Sequence, residues 1–193
     1  MTAPHQIGII GAGRVAQALA MAFAPHSRSS PLMWARSPDK ARPIGATVAR
    51  RLDDLTQCCD IIAIAVSDDA VASLAADLAA TMLAGRTPFI FHVSGRSGAA
   101  ILEPLHAAGA LTAAIHPAMT FTGDPQGEVG RMAQACFAIT GSSPAAIEQA
   151  RNIVALLRGT AAEVAEDQRP LYHAALCHAS NHLVTLMAGA THA

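Results

Sequence analysis

The run Gln6-Ile7-Gly8-Ile9-Ile10-Gly11-Ala12-Gly13-Arg14-Val15-Ala16-Gln17 constrains the fold more than any other stretch of the chain. Gln6–Ile10 is short and apolar, as a buried parallel strand is, and Val15–Phe23 is rich in helix formers. Between them stands Gly-x-Gly-x-x-Ala. Gly11 makes the tight turn, Gly13 lets the backbone approach a pyrophosphate, and Ala16 lets the helix pack close to the strand. The helix N-terminus then offers free N–H groups and the positive end of its dipole to an anion. The glycine pattern is weak alone. The strand before it and the helix after it make it specific.

The next apolar run, Leu32–Ala35, bears on which dinucleotide fits. An NAD-selective fold places Asp or Glu about 20 residues past the glycines to bind the ribose 2′-OH. Here the run ends in Arg36-Ser37-Pro38-Asp39-Lys40. Arg36 offers a planar fork of donors, Ser37 a hydroxyl and Lys40 a point charge, all suited to a 2′-phosphate. The expected cofactor is NADP(H).

Alternating strand-like and helical stretches continue along the chain, the signature of a doubly wound parallel α/β sheet. Further strands are expected near Ala46–Ala49 and at Ile61–Val66, Pro88–Val93, Leu111–His116, Cys136–Thr140 and Thr160–Val164. Helices are expected from Asp68 or Asp69 to about Met82, over Ser97–Ala107, and from the Ser143-Pro144 cap to Leu157, with Gly159 as the stop. Pro117–Gly130 reads as loop. A last helix runs from Leu171 to about Ala190. The domain boundary falls near Glu166, giving a dinucleotide-binding domain over 1–166 and the start of a helical domain, apparently truncated, over 167–193.

Composition narrows the partners. The chain has 193 residues, a formal net charge of −1, 14% charged residues and 52% apolar ones. No basic patch suggests nucleic acid, and no apolar run is long enough to span a bilayer. The N-terminus lacks a signal-peptide pattern, so a cytoplasmic location is expected. Cys58, Cys59, Cys136 and Cys177 lack zinc-ligand spacing and are expected as free thiols in apolar surroundings. No metal site is expected, since His178 and His182 lack a third ligand.

Ligands of open parallel sheets bind at the carboxyl ends of the strands. Three such ends carry polar groups: Val66-Ser67-Asp68, Ser94-Gly95 and His116-Pro117. Val66, Ser67 and Asp68 join Gly11, Ala12, Gly13, Arg14, Val15, Arg36, Ser37 and Lys40 as candidate cofactor contacts. Asp69 reads better as a helix cap, and His92 as structural. His116 is a candidate general acid, because imidazole titrates near working pH. On the last helix, His173, Cys177, Ser180 and Asn181 share one face at helical spacing. Ser94, His116, His173 and Asn181 are the candidate catalytic residues.

Five segments together resemble bacterial Rossmann-like NADP oxidoreductases with an uncharacterised C-terminal helical domain, relatives of pyrroline-5-carboxylate reductase and the deazaflavin-linked NADP reductases. The segments are Gly11–Val15, Ala65–Ala70, His92–Gly95, Ala114–Pro117, and Leu171–Ala175 with Ser180-Asn181. The resemblance implies a Rossmann domain, NADP(H) and a homodimer built through the helical domain. It implies hydride transfer to or from a small carbonyl, imine or hydroxyacid. The alternative is a non-catalytic dinucleotide-binding or regulatory module. One departure is specific: hydroxyacid dehydrogenases of this type carry a catalytic Lys four residues before the helix Asn, and here that place holds Cys177.

Overall fold

The computed structural model describes residues 5–37 and 45–191; within its last helix, the side chains of 181–184, 186 and 188–191 are not described. Eight strands form one sheet: β1 (Ile7–Ile10), β2 (Leu32–Trp34), β3 (Thr47–Val48), β4 (Ile61–Ile64), β5 (Phe89–His92), β6 (Leu111–Pro117), β7 (Cys136–Gly141) and β8 (Thr160–Glu163). Their order is β3-β2-β1-β4-β5-β6-β7-β8. Pairing is parallel throughout except between β6 and β7, which run antiparallel. The sheet is therefore mostly parallel, not wholly so.

Among the described residues, six α-helices lie between strands, α1 (Arg14–Phe23), α2 (Asp53–Cys58), α3 (Asp68–Ala79), α4 (Glu103–Ala107), α5 (Pro125–Met132) and α6 (Pro144–Leu156), and α7 (Arg169–Thr191) follows β8. The strands β1, β4 and β5 are buried along their whole length, which is why they read as continuous apolar runs. Successive side chains alternate between two cores. Ile7, Ile9, Phe91 and Ile115 face α1 and α6 in one. Ile10, Ile62, Ile64 and Ile90 face α2, α3 and α4 in the other. Helices thus cover both faces, and the strand order reverses at β1. From β1 the chain moves outward to β2 and β3, then returns to β4 on the other side. That reversal opens a crevice beyond the carboxyl ends of β1 and β4.

Several local expectations change. Pro117–Gly130 is not all loop, because Asp124 caps α5 by accepting from Gly127 N at 3.2 Å. Neither Asp68 nor Asp69 caps α3. Ser67 occupies the N-cap position, and Asp69 pairs with Arg96 at 3.2 Å. Ser143 caps α6, accepting from Ala146 N at 3.2 Å, as its Ser-Pro signature suggests. At the other end of α6 the left-handed residue is Arg158, with φ of 61°, and not Gly159. All four cysteines are free thiols, but only Cys59 is buried; Cys58, Cys136 and Cys177 are exposed. Burial pushes the Cys59 thiol up to about 12. Among the described residues no helix is long and apolar enough to cross a membrane.

Candidate functional site

The crevice at the strand reversal is a cleft of about 520 Å³. Its walls bring together Gly11, Ala12, Gly13, Arg14, Val15, Arg36, Ser37, Val66 and Ser67, from the ends of β1, β2 and β4. Trp34, Leu74 and Val93 complete it with apolar surface that no motif announced. Asp68 is half-buried in the first turn of α3 and does not line the cleft. Lys40 lies outside the described residues.

The cleft's geometry follows from its glycines. Gly11 has a φ of +134°, a conformation that only glycine adopts readily. A Cβ there would stand 2.9 Å from the Ala65 carbonyl carbon and closer still to its oxygen. Gly11 N donates to the Trp34 carbonyl at 2.8 Å, which locks the turn to β2. Gly13 is different. It is the N-cap of α1, and a Cβ on it would meet nothing within 4 Å. The first turn of α1 has no acidic residue and no side-chain cap. Its leading N–H groups are thus left for an anion. The Arg14 guanidinium reaches across and donates to the Phe121 carbonyl at 3.2 Å. Arg36 and Ser37 are exposed at the end of β2. These features fit a dinucleotide: an open approach at Gly13, bare helix N–H groups, and a guanidinium where the second strand ends.

Val93, at the cleft, leads into Ser94-Gly95. Ser94 is buried, and its hydroxyl oxygen accepts from Arg96 N at 3.3 Å. Beside it, His92 is fully buried. Its Nδ1 accepts from Ser94 N at 3.1 Å, so Nε2–H donates to the Gly98 carbonyl at 2.8 Å. That holds one neutral tautomer and makes His92 a structural brace for the Ser94–Gly98 loop.

Gly95 marks where three elements converge. A Cβ there would stand 2.9 Å from His116 Nε2 and 3.0 Å from His173 Nδ1. Only a missing side chain lets β6 and α7 bring both imidazoles onto the loop. His116 Nδ1 and the Tyr172 hydroxyl are hydrogen-bonded at 2.8 Å, with the rings edge to face. His173 Nε2 lies 3.5 Å from Cys177 Sγ, and His173 Nδ1 is buried with no hydrogen-bond partner among the described residues. Asn181 lies on α7, but its side chain is outside the described set. Much of this helix is exposed: Ala174, Ala175 and residues 177–180 are exposed, with Leu171 67% exposed.

The residue that sequence reasoning missed is Arg169. It is 1% exposed. Its Nε donates to Thr140 Oγ1 at 2.7 Å, and its Nη2 donates to the Ala114 and Ala138 carbonyls at 3.2 and 3.0 Å. Those bonds staple α7 to the antiparallel β6–β7 pair. Its Nη1 has no partner, and it makes no ion pair among the described residues. Its guanidinium carbon lies 5.8 Å from the centre of the Tyr172 ring. Arg169 sits in a charged stretch at a helix start, where a solvated residue is the ordinary expectation, so nothing in the sequence marked it.

Burial, and then the Arg169 charge, push the His116 imidazole down to about 4. Burial likewise pushes His92 down to about 4, partly offset by its bond to Gly98. Both are neutral at pH 7. Burial raises the Tyr172 hydroxyl above its ordinary value, and Arg169 opposes that shift. The two histidines have a consequence for stability. Their folded pKa values lie below the unfolded one, so the unfolded chain binds more protons between pH 6.5 and about 4. Stability is full above pH 6.5 and falls as pH drops through that window, by on the order of a few kcal/mol. Urea unfolding at pH 7.5, 6 and 5 checks this, and His92→Gln should flatten the profile. A stability independent of pH over this range contradicts it. Among the described residues no three His, Cys, Asp or Glu side chains converge as a metal site.

The comparisons with known proteins agree with this architecture. The model of the Rossmann-like domain matches residues 2–117. The model of a domain of unknown function, DUF2520, matches residues 135–193. No curated protein sequence matches the chain. Among solved structures, it is similar to a Bacteroides fragilis protein described as a candidate NADP oxidoreductase, with a TM-score of 0.76 and 20% identity over 96% of this chain and 70% of that one. It is similar to a reductive aminase from Aspergillus terreus, in complex with NADPH and ethyl-5-oxohexanoate, at a TM-score of 0.72 and 20% identity over 97% of this chain and 65% of that one. A third is a pyrroline carboxylate reductase from Plasmodium falciparum with NADP bound, at a TM-score of 0.68 and 14% identity over the whole of this chain and 72% of that one. At these identities the likeness is one of fold.

Proposed function

This chain belongs to the Rossmann-like domain family, and from that premise we propose that it is an NADP(H)-dependent oxidoreductase acting on a small carbonyl, imine or hydroxyacid. The observation that carries the proposal is the cleft itself. One surface joins the Gly11–Val15 turn, the bare N-terminus of α1 and the Arg36-Ser37 end of β2. Solved structures of similar fold that hold NADP or NADPH support it.

In this reading residues 1–166 form the dinucleotide-binding unit, and 167–193 begin a helical one. Gly13 and the first N–H groups of α1 hold the diphosphate, with Arg14 at its flank. Arg36, Ser37 and Lys40 hold the 2′-phosphate. Val66 and Ser67 border the ribose side, with Asp68 behind them. The nicotinamide, when bound, supplies or accepts the hydride. What the chain supplies is orientation and a proton. Ser94, His116, His173 and Asn181 are the candidate residues at the reacting end, and Tyr172 joins them through its bond to His116. A neutral His116 bonded to a hydroxyl can pass a proton without carrying charge at rest. The cytoplasm and a homodimer are the setting we propose.

Purified protein incubated with NADPH and a panel of small ketones, imines and hydroxyacids tests this. Consumption of NADPH with one class is the expected result. A second reading, a dinucleotide-binding module without turnover, is favoured by Cys177 standing where hydroxyacid dehydrogenases of this type carry lysine. NADPH binding with no turnover across the panel selects it. Absence of binding rejects both.

A further inference from the structure

We propose that the place where His116, Tyr172 and His173 meet beside Gly95 is built for a carbonyl oxygen that gains negative charge, and against a cationic iminium. The inference rests on the hydride-transfer reading above and narrows its substrate class.

The charge inventory around Tyr172 is one-sided. Arg169 is a permanent cation, 99% removed from water, held by three neutral oxygens with no carboxylate in ion-pair contact among the described residues. A buried charge without a counter-ion is costly, so its field is spent on whatever lies next to it. What lies next to it is the Tyr172 ring, and through Tyr172 the His116 imidazole. Two carboxylates reach this neighbourhood, and the exposed Cys136 thiol bears on Tyr172 more weakly than Arg169 does. Asp68, at the start of α3, favours protonation of His116 but acts more weakly on it than Arg169 does. Glu166 bears on Arg169, but its carboxylate is exposed and accepts from Ala100 N at 3.3 Å. His92 from β5 and His173 from α7 both oppose a proton on His116. Arg96, on the loop after β5, is exposed and paired with Asp69.

Chemistry makes the sign of this field matter. When a hydride adds to a carbonyl carbon, the C=O π bond breaks and its electron pair moves to oxygen. The alkoxide then takes a proton from the Tyr172–His116 pair, which solvent restores. The carbonyl is reduced to an alcohol, and the reduced nicotinamide dinucleotide is oxidised by the same two electrons. Negative charge thus appears on the substrate during the step, where a fixed cation stabilises it. Reduction of an imine instead begins from the protonated iminium, a cation that the same field repels. The unpartnered Arg169 Nη1 is a buried donor short of an acceptor, which an anionic oxygen supplies and an iminium does not.

The test uses two probes of matched size and opposite charge, propionate and n-propylammonium. The chain has one tyrosine, so the Tyr172 ring signals in an NMR spectrum report on this site alone. Each probe is titrated into the protein with and without NADP+. The expected result is saturable movement of the Tyr172 signals by propionate, at least about ten-fold tighter than by propylammonium. Arg169→Lys should keep the preference, and Arg169→Met should abolish it. Should the methionine variant fail to fold, the wild-type pair of titrations still decides. Equal or tighter propylammonium binding, or no response of Tyr172 to either probe, overturns the proposal. If NADP+ itself does not bind while propionate is still preferred, the hydride-transfer reading fails and the charge preference stands.

Discussion

Gly11→Ala is expected to leave little folded protein, whereas Gly13→Ala is expected to fold normally and lose cofactor affinity. The two glycines stand two residues apart in one motif, yet their surroundings differ. At Gly11 the added methyl runs into the Ala65 carbonyl, and φ of +134° is strained for any L side chain. The backbone cannot yield, because Gly11 N is bonded to Trp34 O and Ala65 N to Ile10 O, both across the central strands. The cost combines steric overlap with a disallowed backbone angle, roughly 3 kcal/mol or more. That is a large part of the ~5–15 kcal/mol that holds a typical domain together. At Gly13 the methyl enters open space with an ordinary backbone angle, φ of −74°. It stands where the account puts the diphosphate. NADPH affinity should fall about ten- to a hundred-fold with little change in the urea midpoint. Thermal unfolding and NADPH titration of both variants check this. Normal NADPH binding by Gly13→Ala would remove the diphosphate from the α1 N-terminus.

Arg36→Asp is expected to weaken NADPH about ten- to a hundred-fold while leaving NADH within a few-fold. Charge-assisted hydrogen bonds to a phosphate contribute about 1.5–3 kcal/mol, and the new carboxylate adds repulsion. Arg36 is exposed, so salt should shrink the effect, and raising the ionic strength is part of the test. NADH lacks the 2′-phosphate and gains an acceptor for its ribose hydroxyl, which is why its affinity should hold. A uniform loss for both nucleotides would mean that Arg36 supports the cleft's shape and not a phosphate.

The sheet was legible in the chain because parallel strands with both faces buried leave continuous apolar runs, and β1, β4 and β5 are such runs. The cleft was legible because one short motif fixes a turn and a helix start together. Arg36 and Ser37 were found by counting onward from that motif to the end of the next strand. Other features escaped for physical reasons. The chain reaches the antiparallel β7 by way of α5, which packs on α1, and the cap of α5, Asp124, sits in a stretch crowded with glycine and proline. Asp69 looked like a cap because caps and salt-bridging carboxylates share a residue type. Tyr172 and Arg169 act through contacts with β6 and β7, more than 25 residues away in sequence. No local pattern encodes such contacts. Ser94-Gly95 was marked as a polar strand end, but that the groups approaching the Gly95 backbone are two imidazoles depends on contacts from β6 and α7.

The most direct test of the account is a fluorescence titration of the wild-type protein with NADPH and with NADH. Both should bind saturably, NADPH at least about ten-fold tighter because of its 2′-phosphate. Equal affinity for the two, or a preference for NADH, would contradict the assignment of Arg36 and Ser37. Binding of neither would contradict the claim that this cleft holds a dinucleotide.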